Sequence, residues 1–392
     1  MTLPLVFSER MTPQFRRIAH FARTASGTTP SRSRKEYWEP ATVPWIKTGE
    51  IVFAPICKTE EFVSRLALEE CSLPLLPPGT VLIAMYGQGK TRGQSALLEI
   101  EATTNQACFA ILPNEHFAPE YLQYWLRYSY SELRGASEGR GGNQSNLNGE
   151  ILGSLEVPWI ERPNQDRIAA HLKAQLASVE EARQATQAQI GELNQLANAI
   201  VRDSVAHADT ETHLLGDVLD EVKRGIGAGW ADYRVLGATR AGLAAAKEPV
   251  GKNPERYKPV RVGTVFYNPM RILIGSIAMV DEADAPGITS PDYVVLRGRE
   301  GVVDSRWFYY WLRSPLGEQC IASLARGAVR ERMLFNRLAE GEIELPAYPV
   351  QQAASHALAE LRSMKARIEA QLQEIQLLPS RLLAQAFGPS AK

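Results

Sequence analysis

The chain has 392 residues, 45% of them hydrophobic and 22% charged, which is typical of globular proteins that form more than one core. Its 43 Lys and Arg residues are balanced by 44 Asp and Glu residues, which gives a net charge of -1. Bulk positive charge is therefore excluded as a means of holding nucleic acid, and any such binding must come from local patches.

The first block of the chain, 1–160, contains short strand-like segments and one amphipathic helix. VLIAMYG at 81–87 and CFAIL at 108–112 are apolar segments bounded by polar residues, and they predict strands. PEYLQYWL at 119–126 predicts a helix, and the apolar run SLEVP ends the block at Pro158. This order predicts a mixed α/β domain.

A long helix is predicted from Asn164 to about His207. This segment has no Pro and only one Gly, and apolar residues such as Ile168, Leu172 and Val179 recur at helical or heptad-like intervals. At ~1.5 Å per residue, some 40 residues form a rod of roughly 60 Å.

The second half of the chain contains the same kinds of element. TVFYN at 264–268, ILIGSIAMV at 272–280 and YVVLRG at 293–298 predict strands, and a Trp-rich helix follows them. A second long helix is predicted from about Val350 to Phe387, with a kink or an interruption at Pro379. Each long helix needs a partner for its apolar stripe, and antiparallel pairing of the two would satisfy both. The alternative is that each is a core helix of its own domain.

The similarity between the halves is a sequence repeat. Tyr124-Trp125-Leu126-Arg127 recurs as Tyr310-Trp311-Leu312-Arg313 in the second half. Each copy precedes a Gly-rich or Arg-rich loop, a short strand that ends in proline (Pro158, Pro346) and a helix start that contains glutamine (Asn164-Gln165, Gln351-Gln352). Repeats with a long period indicate duplicated architecture.

We therefore predict an α+β protein with two mixed α/β domains in tandem, separated and followed by long helices that pair as an antiparallel coiled coil. The predicted boundaries are 1–160 for the first domain, 161–207 for a central spacer helix, 208–348 for the second domain and 349–392 for a C-terminal spacer helix.

The sequence has only fragments of the motifs that carry catalysis. Gly89-Lys90-Thr91 resembles the end of a phosphate-binding loop, but Ala84 stands where its first glycine is needed. Asn268-Pro269-Met270-Arg271 lacks the second proline and the aromatic residue with which adenine methyltransferases hold a flipped base. The glycines from Gly225 follow DVLDEVKR, whose pattern predicts a helix and not the β-strand that a methyl-donor site requires.

Metal and disulfide chemistry are also unsupported. The six histidines form no pair spaced for a shared metal, and Cys57, Cys71, Cys108 and Cys320 form no Cys-x-x-Cys pair. The sequence has no run of about 18 apolar residues and no cleavable signal. We predict a soluble cytoplasmic protein with reduced thiols, with no catalytic or metal site and no cofactor of its own.

Polar and basic loops are the candidate binding elements. AMYGQGKTRGQ at 84–94 follows a predicted strand directly. Arg and Lys bond guanine O6 and N7, Gln pairs with adenine, and aromatic residues contact thymine methyls, so this composition suits the reading of a DNA major groove. The candidates here are Tyr86, Gln88, Lys90, Thr91, Arg92 and Gln94. The alternative is a solvated hairpin tip.

Further candidates lie in loops of similar composition. In the first block they are Arg32, Arg34, Arg140, Asn143 and Gln144, and in the second block Lys252, Arg256, Lys258, Asn268, Arg271, Arg326, Arg330 and Arg332. The basic residues can hold phosphates and so fix the position of the protein on DNA. An ordinary charged surface remains the alternative.

Several segments together resemble the specificity subunits of type I restriction-modification systems. They are the run from AMYGQGKTRGQ to TTNQACFAI at 84–111, the YWLR helix, SNLNGEILGSLEVPWI at 145–160 and the helix start NQDRIAAHL. The resemblance spans essentially the whole chain, and the duplicated order of domain and helix is its most specific feature. The second helix start, VQQAASHAL, departs from the Glu-Gln-Arg-Arg-Ile type of opening.

This resemblance implies a function and partners. Each domain would be a target-recognition domain that reads one half of a split double-stranded DNA site. The paired helices would act as a ruler and as the platform for two modification subunits, which are adenine methyltransferases that carry S-adenosylmethionine and flip the base. Restriction subunits can add to cleave unmodified DNA. The chain itself would be a non-catalytic specificity subunit without a membrane partner.

The competing hypothesis is a structural adaptor whose two domains bind proteins and whose helices act as a spacer. The near-neutral net charge favours it. Salt-dependent binding to a bipartite duplex separates the two hypotheses.

Overall fold

The chain divides into two compact units in the computed structural model, which describes residues 14–87, 89–138, 146–247, 249–325 and 332–388. Unit 1 comprises Met1–Arg183 and Gln373–Lys392, and unit 2 comprises Gln184–Leu372. Each unit holds one mixed α/β lobe and parts of both long helices. Because this division groups helix halves with lobes, it does not test the four predicted domain boundaries, which stay a prediction.

The lobe of unit 1 consists of short strands and helices that lead into the first long helix. Its elements are β1 (Gln14–Arg17), α1 (Ile18–Phe21), β2 (Thr24–Ser26), β3 (Val43–Ile46), β4 (Glu61–Val63), α2 (Arg65–Glu70), β5 (Val81–Ala84), β6 (Ser95–Leu97), β7 (Thr103–Thr104), β8 (Cys108–Ile111), α3 (Pro119–Tyr128), α4 (Tyr130–Glu138), α5 (Gly149–Gly153), β9 (Glu156–Trp159) and the long helix α6 (Arg162–Ala206).

A four-stranded antiparallel sheet in the order β2-β8-β5-β6 forms the centre of this lobe. Every residue of β5 and β8 is buried. Val81 and Ile83 pack with α3 in one cluster, and Leu82 packs with Ile46 of β3 in another. Both faces of the sheet are covered, which explains why these strands are continuous apolar runs and not alternating ones.

Unit 2 contains the second series of elements. They are β10 (Thr210–Leu214), α7 (Leu215–Val218), β11 (Leu219–Glu221), β12 (Leu236–Thr239), β13 (Gly242–Ala245), β14 (Lys258–Val260), β15 (Thr264–Tyr267), β16 (Ile277–Val280), β17 (Gly287–Thr289), β18 (Val294–Gly298), α8 (Ser305–Arg313), α9 (Pro315–Leu324), α10 (Phe335–Leu338), β19 (Glu342–Pro346) and the long helix α11 (Tyr348–Phe387).

The sheet of unit 2 repeats that of unit 1 strand by strand. Its order is β11-β18-β15-β16, all antiparallel, and β10 pairs with β19 as β1 pairs with β9. The Trp-rich helix α8 packs on this sheet through Trp307 and Phe308, both fully buried. The predicted α+β tandem repeat is thereby confirmed at the level of topology.

One strand prediction is wrong in part. The predicted strand at 272–280 begins only at Ile277, because Ile272–Ile274 forms a turn of 3-10 helix. Gly275 ends that turn with φ 79°, a left-handed conformation that favours glycine. A short apolar run gives the same pattern for a buried strand as for a buried turn followed by a strand, so the sequence could not separate them.

The long helices pack against each other in both units. In unit 1, Leu172 near the start of α6 shares a buried cluster with Leu383 near the end of α11. In unit 2, Val201 near the end of α6 packs with Leu358 near the start of α11, and Lys365 Nζ donates to Asn194 Oδ1 at 2.9 Å. The pairing is antiparallel, as predicted, and α11 continues through Pro379 without ending there.

A buried glutamine fixes the start of the first long helix to its lobe. Gln165 is 0% exposed, and its Oε1 accepts a hydrogen bond from Ala118 N–H at 2.8 Å. Its Nε2 donates to His116 O at 2.8 Å and to Ile160 O at 2.7 Å. One side chain therefore joins the start of α3, the end of β9 and the first turn of α6.

The second long helix has the same anchor. Gln351 is 1% exposed, its Oε1 accepts from Asp304 N–H at 3.0 Å, and its Nε2 donates to Val302 O and Pro346 O at 2.9 and 2.8 Å. The interval from Gln165 to Gln351 equals the interval between the two Tyr-Trp-Leu-Arg copies. The second helix start, VQQAASHAL, departs from the usual sequence but keeps the same glutamine hydrogen bonds to its lobe.

We expect Gln351→Leu to destabilise unit 2 by about 3 kcal/mol, because it leaves three buried backbone groups without a partner. Gln352 is exposed in the same helical turn, so Gln352→Leu is the matched control and should change stability by less than about 0.5 kcal/mol. Urea unfolding of the full chain, followed by circular dichroism, measures both. Equal losses in the two variants would contradict the anchoring role.

Candidate nucleic-acid interface

In the predicted loop at 84–94, which connects β5 to β6, the described residues form a hairpin closed at its base by backbone hydrogen bonds. Ala84 N–H donates to Gln94 O at 2.9 Å, and Gly93 N–H donates to Ala84 O at 2.8 Å. Gly87 has φ 132°, and a Cβ there would lie 2.8 Å from Thr91 Cβ, so the close turn requires glycine. The hairpin leaves Tyr86 39% exposed and Lys90 exposed.

Two neighbouring segments hold this hairpin in place. On α4, Tyr130 OH donates to Lys90 O at 2.7 Å, and Arg134 Nη1 donates to Arg92 O at 3.4 Å. Leu147 N–H donates to Met85 O at 3.2 Å. Leu147 lies a few residues after the predicted candidates Arg140, Asn143 and Gln144, so segments that are distant in the chain become neighbours.

The corresponding loop of unit 2 connects β15 to β16. Asn268 Oδ1 accepts from Met270 N–H at 3.0 Å, and Arg271 N–H donates to Asn268 O at 2.9 Å, which closes a compact turn. Met333 N–H donates to Pro269 O at 3.1 Å. This contact brings Arg332 next to the predicted pair Asn268 and Arg271.

We call residues 85–87 and 89–94 with 146–148 the first loop pair, and residues 268–276 with 332–334 the second loop pair. Leu147 and Met333, whose backbone N–H groups join the two parts, are separated by the same interval as the two Tyr-Trp-Leu-Arg copies. Both pairs therefore occupy the same place in the repeat, after β5 in the first sheet and after its counterpart β15 in the second. The predicted residues Gln88, Arg140, Asn143, Gln144, Arg326 and Arg330 lie outside the described residues.

The structure places Arg32 and Arg34 away from the hairpin, beside the strands β3 and β4. Arg32 Nη2 lies 2.6 Å from Glu61 Oε2, and Arg34 Nη1 lies 2.7 Å from Glu70 Oε2. A hydrogen bond from Tyr37, helped by the one from Arg34, holds the pKa of Glu70 below its usual value against the effect of burial. Both arginines are about half exposed, so phosphate can compete for them.

The basic residues of the second block differ in their availability. Lys252 and Arg256 are exposed. Lys258 Nζ donates to Tyr293 O at 2.7 Å, and burial lowers the pKa of its ammonium group. Arg332 Nη2 lies 3.5 Å from Asp292 Oδ1 with half of its side chain exposed. Lys258 is thus the member of the predicted set whose charge is most engaged inside the protein.

Among the residues that the structure describes, no group of three or more His, Cys, Asp or Glu side chains is arranged to hold a metal ion. In the same ranges, no helix combines the length and the apolar composition that crossing a bilayer requires.

Comparison with known proteins places the hairpin within a recognised domain. Residues 12–190 match the family model described as type I restriction modification DNA specificity domain. The first lobe of this chain is similar to such a specificity domain. The resemblance predicted from the sequence is confirmed, and the matched range contains the first loop pair.

Two curated relatives are type I restriction enzyme specificity subunits. The chain is 24% identical over 156 residues to that of EcoR124I/EcoR124II from Escherichia coli and 30% identical over 161 residues to that of MjaIX from Methanocaldococcus jannaschii. Each alignment covers 40% of this chain, and they cover 39% and 36% of the two relatives. The similarity in sequence is thus confined to part of each relative.

The fold similarity extends over nearly the whole chain. A chain from a structural study of complex assembly and conformational transition of the type I R-M system matches 96% of this chain with a TM-score of 0.66 and 17% identity. The HsdS subunit of Thermoanaerobacter tengcongensis also matches 96%, with a TM-score of 0.52 and 17% identity. These likenesses extend the shared fold to the second lobe, which the family model does not cover.

Sequence reasoning missed the residues that fix the second lobe to its helix. The carboxylate of Asp281 accepts hydrogen bonds from Arg306 on α8 and lies 2.9 Å from Arg362 Nη1 on α11. Burial would raise the pKa of Asp281, but the hydrogen bonds from the two arginines hold it below its usual value. The three residues lie far apart in the chain, and no local pattern marks them.

Asp281→Asn should destabilise unit 2 by about 3 kcal/mol at pH 7, since it leaves two arginines without their shared carboxylate. A depressed folded pKa stabilises the protein above the unfolded pKa of ~3.9, and this contribution disappears as the pH falls through the folded value. The difference in unfolding free energy between wild type and variant should therefore have its full size above about pH 5 and disappear as the pH falls below that range. Unfolding midpoints from pH 7 to pH 3 measure it.

The control is Glu282→Gln, because the Glu282 side chain is 81% exposed and also faces Arg306. It should change stability by less than about 0.5 kcal/mol at every pH. A pH-independent gap for Asp281→Asn would contradict the ion-pair explanation.

Proposed function

We propose that this chain is the DNA sequence-recognition subunit of a type I restriction-modification complex and that each unit reads one half of a bipartite double-stranded target. One observation carries the proposal. In both repeats, a loop predicted from sequence to present base-reading side chains is joined by a backbone hydrogen bond to a second, distant segment, through Leu147 in the first repeat and Met333 in the second. The first loop pair lies inside the range matched by the DNA specificity domain.

The chemistry of the loop pairs supports base reading. The first loop pair presents Tyr86 and Lys90 on a hairpin whose backbone is fixed, and the second presents Arg271 and Arg332. Lysine and arginine donate to guanine in the major groove, and a fixed backbone preserves the spacing that such contacts need. Exposed Lys252 and Arg256 are suited to phosphates. Local patches of this kind overcome the near-neutral charge of the whole chain.

The long helices would supply the second part of the function. We propose that they hold the two half-site readers at a set spacing and dock two modification subunits, which bind S-adenosylmethionine and methylate adenine. Restriction subunits would join to cleave unmodified DNA. This chain would contribute recognition and no catalytic group. Specificity-subunit relatives of the first lobe support this assignment.

The target can be found by sequencing the methylome of a host with and without this gene. A methylated motif of two short elements with an unread gap, present only with the gene, is the expected result. A gene-independent methylome, with no salt-dependent DNA binding by the chain and its methyltransferase partner, would favour the adaptor hypothesis.

Lys90→Ala should weaken binding to the mapped target about tenfold, because a base contact of this kind contributes ~1–3 kcal/mol. Lys58 is exposed in the same lobe but outside the loop pair, so Lys58→Ala is the matched control and should stay within about twofold. Competition binding at fixed salt with the methyltransferase partner present measures both. Equal effects of the two substitutions on target affinity would contradict a role for the hairpin in the DNA interface.

Inserting four residues near Gln187 should change the length of the gap and leave both half-site sequences unchanged. A matching insertion at the repeat counterpart Gln373 preserves the helix pairing. Four residues add ~6 Å to a helix, which corresponds to about two base pairs. Methylome mapping of the doubly inserted variant measures the gap. Altered half-site bases with an unaltered gap would contradict the spacer role.

A further inference from the structure

The second loop pair exposes apolar side chains where the first exposes polar ones. Met270 is 50% exposed and Leu334 is 45% exposed. In the first loop pair, the residue at the repeat position of Leu334 is Asn148, and the hairpin carries Tyr86 and Lys90. The two lobes therefore share a frame and differ in the chemistry they present.

Leu334 stands at a position where leucine is unfavourable for local structure. It is the N-cap residue of α10 and makes no side-chain cap hydrogen bond. Asn148 is the N-cap residue of α5, and its Oδ1 accepts from Ile151 N–H at 2.8 Å. Replacing a capping asparagine by an apolar residue costs about 1 kcal/mol. A departure from local preference that leaves a leucine in water is typical of a functional site.

Met270 and Leu334 each follow a residue of the backbone bond that joins the second loop pair. Met270 N–H donates to Asn268 Oδ1 within the 268–276 segment. Met333, on the other segment of the loop pair, donates its N–H to Pro269 O. Met333 is 4% exposed, so the backbone that precedes Leu334 is anchored in the core. The exposed methionine and leucine are thus presented by an ordered turn.

Two cations stand beside this apolar pair. Arg271 follows Met270 directly and is exposed, and Arg332 precedes Met333 with 53% of its side chain exposed. An apolar pair bordered by arginines is complementary to a partner surface that has an apolar group surrounded by negative charges. Duplex DNA has this character where a thymine methyl lies in the major groove between phosphate backbones.

The other exposed apolar residues of the loop have a different setting. Leu273 and Ile274 line a cleft of about 950 Å³ in unit 2 together with Leu193 and Leu361 of the long helices. Within the described residues, Met270 and Leu334 are not part of that lining. The loop therefore offers an apolar pair outside the cleft and a matched apolar pair inside it, which serves as an internal control.

We infer that unit 2 reads its half-site by packing Met270 and Leu334 against thymine methyl groups, with Arg271 and Arg332 beside them on guanine or phosphate. This inference rests on the proposed function. A wedge between base pairs is less favoured, because a wedge inserts one side chain at one step, whereas here the apolar atoms are spread over two segments.

Replacing thymine by uracil in the mapped target removes the methyl group and keeps every hydrogen-bonding atom. With the methyltransferase partner present, the wild-type chain should bind a duplex with uracil in one of its two half-sites about fourfold more weakly per methyl, the factor that ~0.8 kcal/mol per buried carbon gives. Met270→Ala should discriminate between thymine and uracil duplexes less than the wild type, because only the Leu334 contact remains. Leu273→Ala should keep the wild-type ratio.

A second variant separates recognition from folding. Leu334→Asn restores the cap found in the first lobe, so it should raise the melting temperature and yet discriminate less between thymine and uracil. Two results would overturn the inference and leave the proposed function standing. One is wild-type protein that binds its target specifically but binds uracil duplexes as tightly as thymine duplexes in both half-sites, and the other is a mapped target that contains no thymine. Absence of any specific binding by the wild type would instead overturn the proposed function, and the inference with it.

Discussion

A single buried glutamine side chain in each unit decides where a long helix starts and how it leaves its lobe. Gln165 and Gln351 each satisfy three backbone groups that would otherwise be buried without partners. One is at the N-cap of the Tyr-Trp-Leu-Arg helix, one lies just before that residue, and one is at the end of the last strand. An amide is suited to this task, since it donates and accepts at once and carries no charge to desolvate. The direction of each rod relative to the sheet of its own lobe follows from these bonds.

The repeated Tyr-Trp-Leu-Arg motif has a related structural explanation. Its tryptophan and leucine are buried in both copies. In the second copy, Arg313 donates to Gly275 O, Ile277 O and Arg240 O, at 2.7 to 3.2 Å, so it fixes the base of the second loop pair. In the first copy, burial lowers the pKa of Arg127, which lies 5.4 Å from the ring of Phe53. The arginine is thus a framework residue in each lobe.

The sequence was sufficient for the parts of the fold that depend on local patterns. The two long helices, the tandem order and most central strands followed from periodicity and repetition. The turn at Ile272–Ile274 was missed because a short apolar run does not distinguish a turn from a strand. The loops were recognised by composition, but their pairing through Leu147 and Met333 depends on backbone bonds between distant segments. Asp281 and its two arginines were missed for the same reason.

The candidate site illustrates a second limit of sequence reasoning. Basic and polar residues in a loop suggest DNA readily, so Arg271 and Arg332 were selected and Met270 and Leu334 were not. An apolar residue draws attention only when its exposure is known. Alignment of the two repeats places Leu334 opposite the cap residue Asn148 and offers a signal that was present in the sequence.

The bonds that hold both loop pairs have a consequence for how such a protein can change over generations. Lys90 and Pro269 are held through their carbonyl oxygens, and these bonds do not involve the exposed side chains of Lys90 and of Met270, the residue after Pro269. Substitution at these exposed positions alters the presented chemistry at little expense in stability. Under the proposed function, novel sequence preferences would arise by single mutations at such exposed positions, one lobe at a time, while the scaffold is inherited intact.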